Sequence, residues 1–146
     1  MTITHNKDWQ YDLDFGEDGE HWLSKLSGNG KVEVKTERNI WATSGNLAIE
    51  VYDERKNKGN GAPSGIMTTK ADWWVHILKA DGEEDGAIVA PTSMIKRLVD
   101  EATEVVPMGD KDSEGRSARG VLIPIRELTN EMQSSGKRRL NGKSRT

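Results

Sequence analysis

Glu33 and Lys35 stand two residues apart in the run Val32-Glu33-Val34-Lys35-Thr36-Glu37, and Glu50 stands between Ile49 and Val51 in Leu47-Ala48-Ile49-Glu50-Val51-Tyr52. On a strand, side chains two apart share a face. Glu33, Lys35 and Glu37 therefore project together, and Val32 and Val34 face the other way. The second run is rich in β-formers. Glu50 has apolar flanks, so the opposite face of its strand must be the packed one. Residues 38–45 leave little room for a crossover, so the two strands are expected to pair antiparallel and to set Glu50 beside Glu33 and Lys35. Glu20, on a preceding helix, is expected to approach the same place. Three carboxylates in one spot repel one another and lose hydration, which a divalent cation relieves, and hard oxygen ligands suit magnesium or manganese. A lysine alongside orients water and offsets charge on a phosphorane-like transition state, while the metal lowers the pKa of bound water. Together these groups would do phosphodiester hydrolysis. The same residues also fit a plainer description. Glu33, Lys35 and Glu37 describe a solvated sheet face with cross-strand ion pairs, and Glu17 and Glu20 describe helix-start acids beside the positive end of the dipole.

The elements that must position these groups follow from periodicity. Glu17 to Leu26 predicts a helix with Glu17, Asp18 and Glu20 in its first turn, an apolar stripe of Trp22, Leu23 and Leu26, and Gly28 as its stop. Strands are predicted over Lys31–Glu37 and Leu47–Tyr52, joined by a connection in which Trp41 packs against the sheet. Residues 53–65 are charged and Gly-rich and predict a loop. Thr69–Lys79 is expected to start as a helical turn and run into a strand. Asp81–Gly86 predicts a turn and Ala87–Ala90 a short strand. Thr92 or Ser93 would cap a helix carrying Met94, Ile95, Leu98, Val99 and Ala102. Residues 107–120 predict a second charged loop and Val121–Ile125 a late strand. The order predicts an α/β core around a mixed sheet, in one domain over residues 1–130.

Composition narrows the classes. The chain has 146 residues, enough for one domain with a real core. Leu, Ile, Val and Phe number only 28, but 21 basic against 24 acidic residues leave a small net charge, which argues for a folded domain with polar loops. There is no cysteine, which excludes disulfides, thiolate zinc sites and cysteine nucleophiles. His5, His21 and His76 are too scattered for a histidine-based metal site. No stretch approaches the roughly 20 apolar residues of a membrane span, and the polar start MTITHNKDWQYDLDF is unlike a secretory signal. Lys137, Arg138, Arg139, Lys143 and Arg145 crowd the last 13 residues without an acid, so residues 131–146 are expected to form a disordered basic tail, an electrostatic arm for a polyanion or a solubilising end.

Four blocks in order, G-E-D-G-E-H-W-L from Gly16, V-E-V-K-T-E-R from Val32, S-G-N-L-A-I-E from Ser44 and P-S-G-I-M-T-T-K-A-D-W-W-V from Pro63, resemble small phage-encoded nucleases of the PD-(D/E)XK superfamily. The resemblance covers roughly residues 16–80. It implies a restriction-endonuclease-like αβββαβ core with a mixed central sheet flanked by helices, a magnesium- or manganese-dependent DNA hydrolase leaving 5′-phosphate and 3′-hydroxyl ends, and phage DNA processing in the host cytoplasm. Glu20 is similar to the acid on the first helix, and Glu33-Val34-Lys35 to the acid-x-lysine signature. Two registers are open. In one, Glu33 and Lys35 are the signature pair and the upstream Asp is missing. In the other, which uses more of the residues present, Glu33 is the first acid and Glu50 the second, Tyr52 occupies the lysine position, and Lys35 supplies the ammonium. The metal ligands are then Glu20, Glu33 and Glu50, with Glu37 and Asp53 in reserve. Arg55, Lys56, Lys58, Ser64, Thr69 and Lys70 are expected to meet nucleic acid, with Gly65 allowing close approach of its backbone and Thr68 donating to phosphate. Dimerisation, common in the superfamily, would use Trp73, Trp74 or the helix near 94–106. The alternative is a nucleic-acid-binding or assembly protein that keeps the fold without the full site.

Overall fold

The computed structural model describes Gly28 and residues 30–142. The expected helix over 17–26, and Glu20 with it, lies outside the described residues, as do Lys143 and Arg145. In chain order the elements are β1 (Val32–Arg38), α1 (Ile40–Ser44), β2 (Asn46–Asp53), β3 (Ala62–Pro63), β4 (Trp73–Ala80), β5 (Glu83–Pro91), α2 (Thr92–Glu101), β6 (Val106–Met108), β7 (Ala118–Pro124) and α3 (Ile125–Gly142). The fold is mixed α/β, with two sheets among the described residues. One has the order β1-β4-β5, with β1 parallel to β4 and β5 antiparallel to it; the other is antiparallel in the order β3-β2-β7-β6.

The expected pairing of β1 with β2 is therefore wrong. The turn between them takes the chain out of the plane of the first sheet. Asn39 and Gly45, which bracket α1, both have positive φ (45° and 69°). The Asn39 N–H donates to the Lys79 carbonyl at the far end of β4, and the Asn39 side chain accepts the Asp81 N–H at 2.9 Å. The Trp41 indole donates to the same Lys79 carbonyl at 2.7 Å, so Trp41 does pack against the sheet as expected. β1 is thus committed to β4, and β2 starts a new sheet. The parallel β1–β4 pair has room for its long crossover, which β2 and β3 fill.

The alternation on β1 is real, and its sense is informative. Glu33, Lys35 and Glu37 are half-buried and lie on the inner face with Trp74 and His76, whereas Val32 (41 % exposed) and Val34 (53 %) are on the outer face. The register carries this outer face across the sheet. Val32 lies beside Trp73 and Pro91, Val34 beside Val75 and Val89, and Thr36 beside Ile77 and Ala87.

The core lies between the inner face of this sheet, the second sheet and α2. Leu47 and Ile49 of β2, Trp74 of β4, Val121 and Ile123 of β7 and Leu128 of α3 are buried against Met94, Ile95, Leu98 and Val99 of α2, at the helical spacing expected. Trp74 and this stripe are consequently core residues and do not supply a dimer surface. The β4–β5 turn is only Asp81-Gly82, both with positive φ, the signature of a tight hairpin, so β5 begins at Glu83, earlier than expected. Thr92 is the first residue of α2 and Pro91 its cap position, with no side-chain capping bond from either Thr92 or Ser93. Residues 131–142 form the second half of α3, so the expected disorder is corrected there. Leu128 is buried in the core, Met132 packs against it, and Glu131 pairs with Arg97 of α2 at 3.1 Å. Arg139 stands in the last turn of the described helix, at the negative end of its dipole.

Candidate functional site

An open cleft of about 500 Å³ lies where the start of β1, the middle of β2 and the turn before β4 meet. Glu33 and Lys35 enter it from β1 and Glu50 from β2. Lys56 enters from the loop after β2, and Thr68, Thr69 and Lys70 from the segment before β4; Lys31 closes one side. Glu33, Lys35 and Glu50, expected together, line this one cleft, but by a different route from the expected hairpin, because their two strands belong to different sheets.

Within the cleft, the Lys35 ammonium lies 2.6 Å from Glu33 Oε1 and 5.8 Å from the centroid of the Trp74 ring. The Thr69 hydroxyl donates to Glu33 Oε2 at 3.4 Å. Both side chains of the ion pair remain more than a third exposed, so a small ligand can compete for either. Glu50 is seated by its neighbour. Gly65, at φ +55°, lies so close to β2 that a Cβ there would overlap the Glu50 carbonyl oxygen. The Ser64 N–H continues this edge by donating to the Val51 carbonyl at 3.1 Å. A bulge between Glu50 and Tyr52 breaks the β2–β7 register at this point.

Glu37, the third residue of the β1 row, is engaged elsewhere. Its carboxylate accepts the Ala48 N–H of β2 and the His76 Nε2 hydrogen, the latter at 3.1 Å. The tautomer follows from the other ring nitrogen. The Trp74 indole can only donate, and it does so to His76 Nδ1 at 2.8 Å, so Nε2 carries the proton. Glu37 is thus a fastener between the two sheets and not a reserve metal ligand. Asp53 is not one either. The Arg55 guanidinium grips both its oxygens, at 2.8 and 2.9 Å, and with the Arg55 N–H holds Asp53 at about 2, below the ordinary 3.8. The same pairing spends Arg55, which lines no part of the cleft.

Of the residues expected to meet nucleic acid, Lys56, Thr69 and Lys70 line the cleft; Lys58 is exposed on the loop outside it. Ser64 is fully buried, so the expected contact is ruled out, and the closeness that Gly65 permits is to β2 itself. Lys31 is the cleft residue that sequence reasoning passed over. Its signal was its place two residues before Glu33, on the same side of an extended chain. The 107–117 loop is fixed by Asp112, which accepts the N–H groups of Glu114 and Arg116 and the Arg116 side chain, and these bonds lower its pKa. Arg116 in turn lies against Gly59.

Two carboxylates face the cleft, and among the described residues no group of three or more His, Cys, Asp or Glu side chains could hold a metal ion. That set still fits magnesium, which is usually bound through one or two carboxylates while keeping waters and taking substrate phosphate oxygens. Four lysines against two glutamates leave the cleft net positive, the sign needed for a phosphate backbone. No known protein family, curated protein or solved structure matches the chain. No described helix is long and apolar enough to cross a membrane.

Proposed function

We propose that the protein is a divalent-metal-dependent deoxyribonuclease of the PD-(D/E)XK type, with a variant restriction-endonuclease-like core, that hydrolyses phosphodiester bonds in phage DNA processing. The observation that carries this reading is the shared cleft: Glu33, Lys35 and Glu50 line one opening together with Lys31, Lys56 and Lys70. Glu33 and Glu50 would hold the magnesium ion, which supplies Lewis acidity and a more acidic bound water. Lys31, Lys56 and Lys70 draw in the phosphate backbone and fix its position along the cleft. Lys35, against Glu33, orients the attacking water and offsets charge at phosphorus. The water oxygen bonds to phosphorus as the bond to the 3′ oxygen breaks. The leaving oxygen takes up a proton, the water releases one, and the ends are 5′-phosphate and 3′-hydroxyl.

The test is cleavage of single-stranded, duplex and branched DNA with Mg²⁺ or Mn²⁺ and with a chelator, beside Lys35→Ala and Glu50→Gln. Each variant is expected to lose about 10²-fold or more in rate. Cleavage equal in wild type and variants would mark a contaminant and overturn the reading. A second reading, a binding protein without cleavage, is favoured by the excess of lysine over carboxylate in the cleft. Salt-dependent binding that Lys56→Ala and Lys70→Ala weaken, with no cleavage under either metal, would select it.

A further inference from the structure

A groove of about 620 Å³ opens between the end of α2, the strands β6 and β7, and the first half of α3, and it shares no residue with the cleft. Its floor is apolar. Leu98, Val106 and Leu122 line it, and Leu122 is 47 % exposed because its strand neighbours Val121 and Ile123 turn into the core. Its walls are acidic. Glu101 and Glu104 come from the end of α2 and the turn after it, Glu127 and Glu131 come from α3, and no Lys, Arg or His lines the groove. We propose that the groove binds a basic peptide segment of a partner protein, seating an apolar side chain on Leu122 and the flanking lysines or arginines on the glutamates.

Charge complementarity selects this occupant. Glu101 is the last residue of α2, where the helix already presents the negative end of its dipole, and the last turn holds no basic residue. An acid in that place is unfavourable until a cation comes beside it. Glu131 is answered within the chain, by Arg97 at 3.1 Å and Arg138 at 3.4 Å, but Glu101, Glu104 and Glu127 have no ion-pair partner among the described residues. The cation is not a bare metal ion, because among the described residues no group of three or more His, Cys, Asp or Glu side chains could hold one. It carries apolar surface as well. Leu122 on the floor and Val105, 50 % exposed just before β6, lose contact with water only under an apolar partner. A phosphate backbone is repelled by the same four carboxylates, and a second copy of this chain, at net charge −3, meets them at like sign. A basic peptide with an apolar anchor satisfies both the floor and the walls. The anchor holds it in the groove, and the charges bring it there and set its register.

The probe is a short fluorescein-labelled peptide alternating lysine and leucine, titrated into the full chain and followed by polarisation. A lysine-serine peptide, a glutamate-leucine peptide and spermine compete against it. Saturable binding of the lysine-leucine peptide is expected, about tenfold tighter than any competitor and weakened by salt. Glu101→Gln and Glu104→Gln should each weaken it about threefold and Leu122→Ser about tenfold. Glu83→Gln, exposed on the β4–β5 hairpin, should leave it unchanged. The Glu101→Gln chain should unfold no earlier than wild type, since the change relieves the end of α2, so its weaker binding is a lost contact and not a lost fold. No binding of the lysine-leucine peptide, or binding that the groove variants and Glu83→Gln alter alike, would overturn the proposal. A competitor of equal affinity would overturn it too, by showing that charge or apolar surface alone suffices. Self-association of the chain in sedimentation, lost in Leu122→Ser, would replace the peptide with a second copy.

Discussion

Replacing Glu37 by Ala should cost more than any other single change to a charged residue of β1. The carboxylate serves two donors, the Ala48 N–H on the other sheet and His76 Nε2–H, and its side chain is 14 % exposed while that of His76 is 2 % exposed. Removing it strands both donors where water reaches poorly. A stranded buried donor costs about 1–3 kcal/mol, so the pair is worth about 2–4 kcal/mol once water relieves part of the Ala48 side. For a domain of this size that is a fall in Tm of about 8–15 °C. Glu37→Gln keeps an acceptor oxygen and should lose only about 1 kcal/mol. Urea unfolding followed by tryptophan fluorescence measures both losses, with an unchanged slope confirming that the unfolded state is not altered. Hydrogen exchange at the Ala48 amide reads the bond directly and should accelerate in the Ala variant. An Ala loss below about 1 kcal/mol, or an Ala48 amide as fast in wild type as in the variant, would refute the reasoning.

Three further outcomes follow from local geometry. Gly65→Ala puts a Cβ onto the Glu50 carbonyl at φ +55° and should lose at least about 1–2 kcal/mol in thermal unfolding while weakening DNA binding through displaced Thr68 and Thr69. Gly136→Ala meets open space inside α3 and should raise stability by about 0.5–1 kcal/mol, an increase that a disordered tail would not give. Asp53 is held at about 2 by Arg55, below its unfolded 3.8, so its contribution is present above about pH 4 and is lost as pH falls toward 2. Asp53→Asn should therefore flatten the acid limb of a stability–pH curve in that window.

Local periodicity made much of this fold legible. The strand runs around Glu33 and Glu50, the stripe of α2 and the late strand β7 each follow from side-chain spacing, and the opposed faces of β1 follow from its alternation. Strand partnership was not legible, because it is set by Asn39 and Gly45, whose positive φ values redirect the chain, and by a carboxylate thirty-nine residues from its histidine. α3 was misread for a related reason. Its C-terminal half is polar by composition, and its support comes from Leu128, Met132 and the Glu131–Arg97 pair, which are visible only once α2 is beside it. At the candidate site, the residue types pointed to Glu33, Lys35 and Glu50, which line one cleft. The burial of Ser64 and the pairing of Asp53 with Arg55 were not legible, because burial and ion pairing are tertiary facts.

The two acids of the cleft belong to different sheets, and that makes their separation adjustable without touching either of them. The gap between Glu33 and Glu50 is a property of how one slab of the molecule is set against the other by the turn through α1, the shared core and the Glu37 fastening. A substitution at Asn39 or Gly45, which bracket α1 at positive φ, would act on that setting while every side chain between the two acids kept its identity.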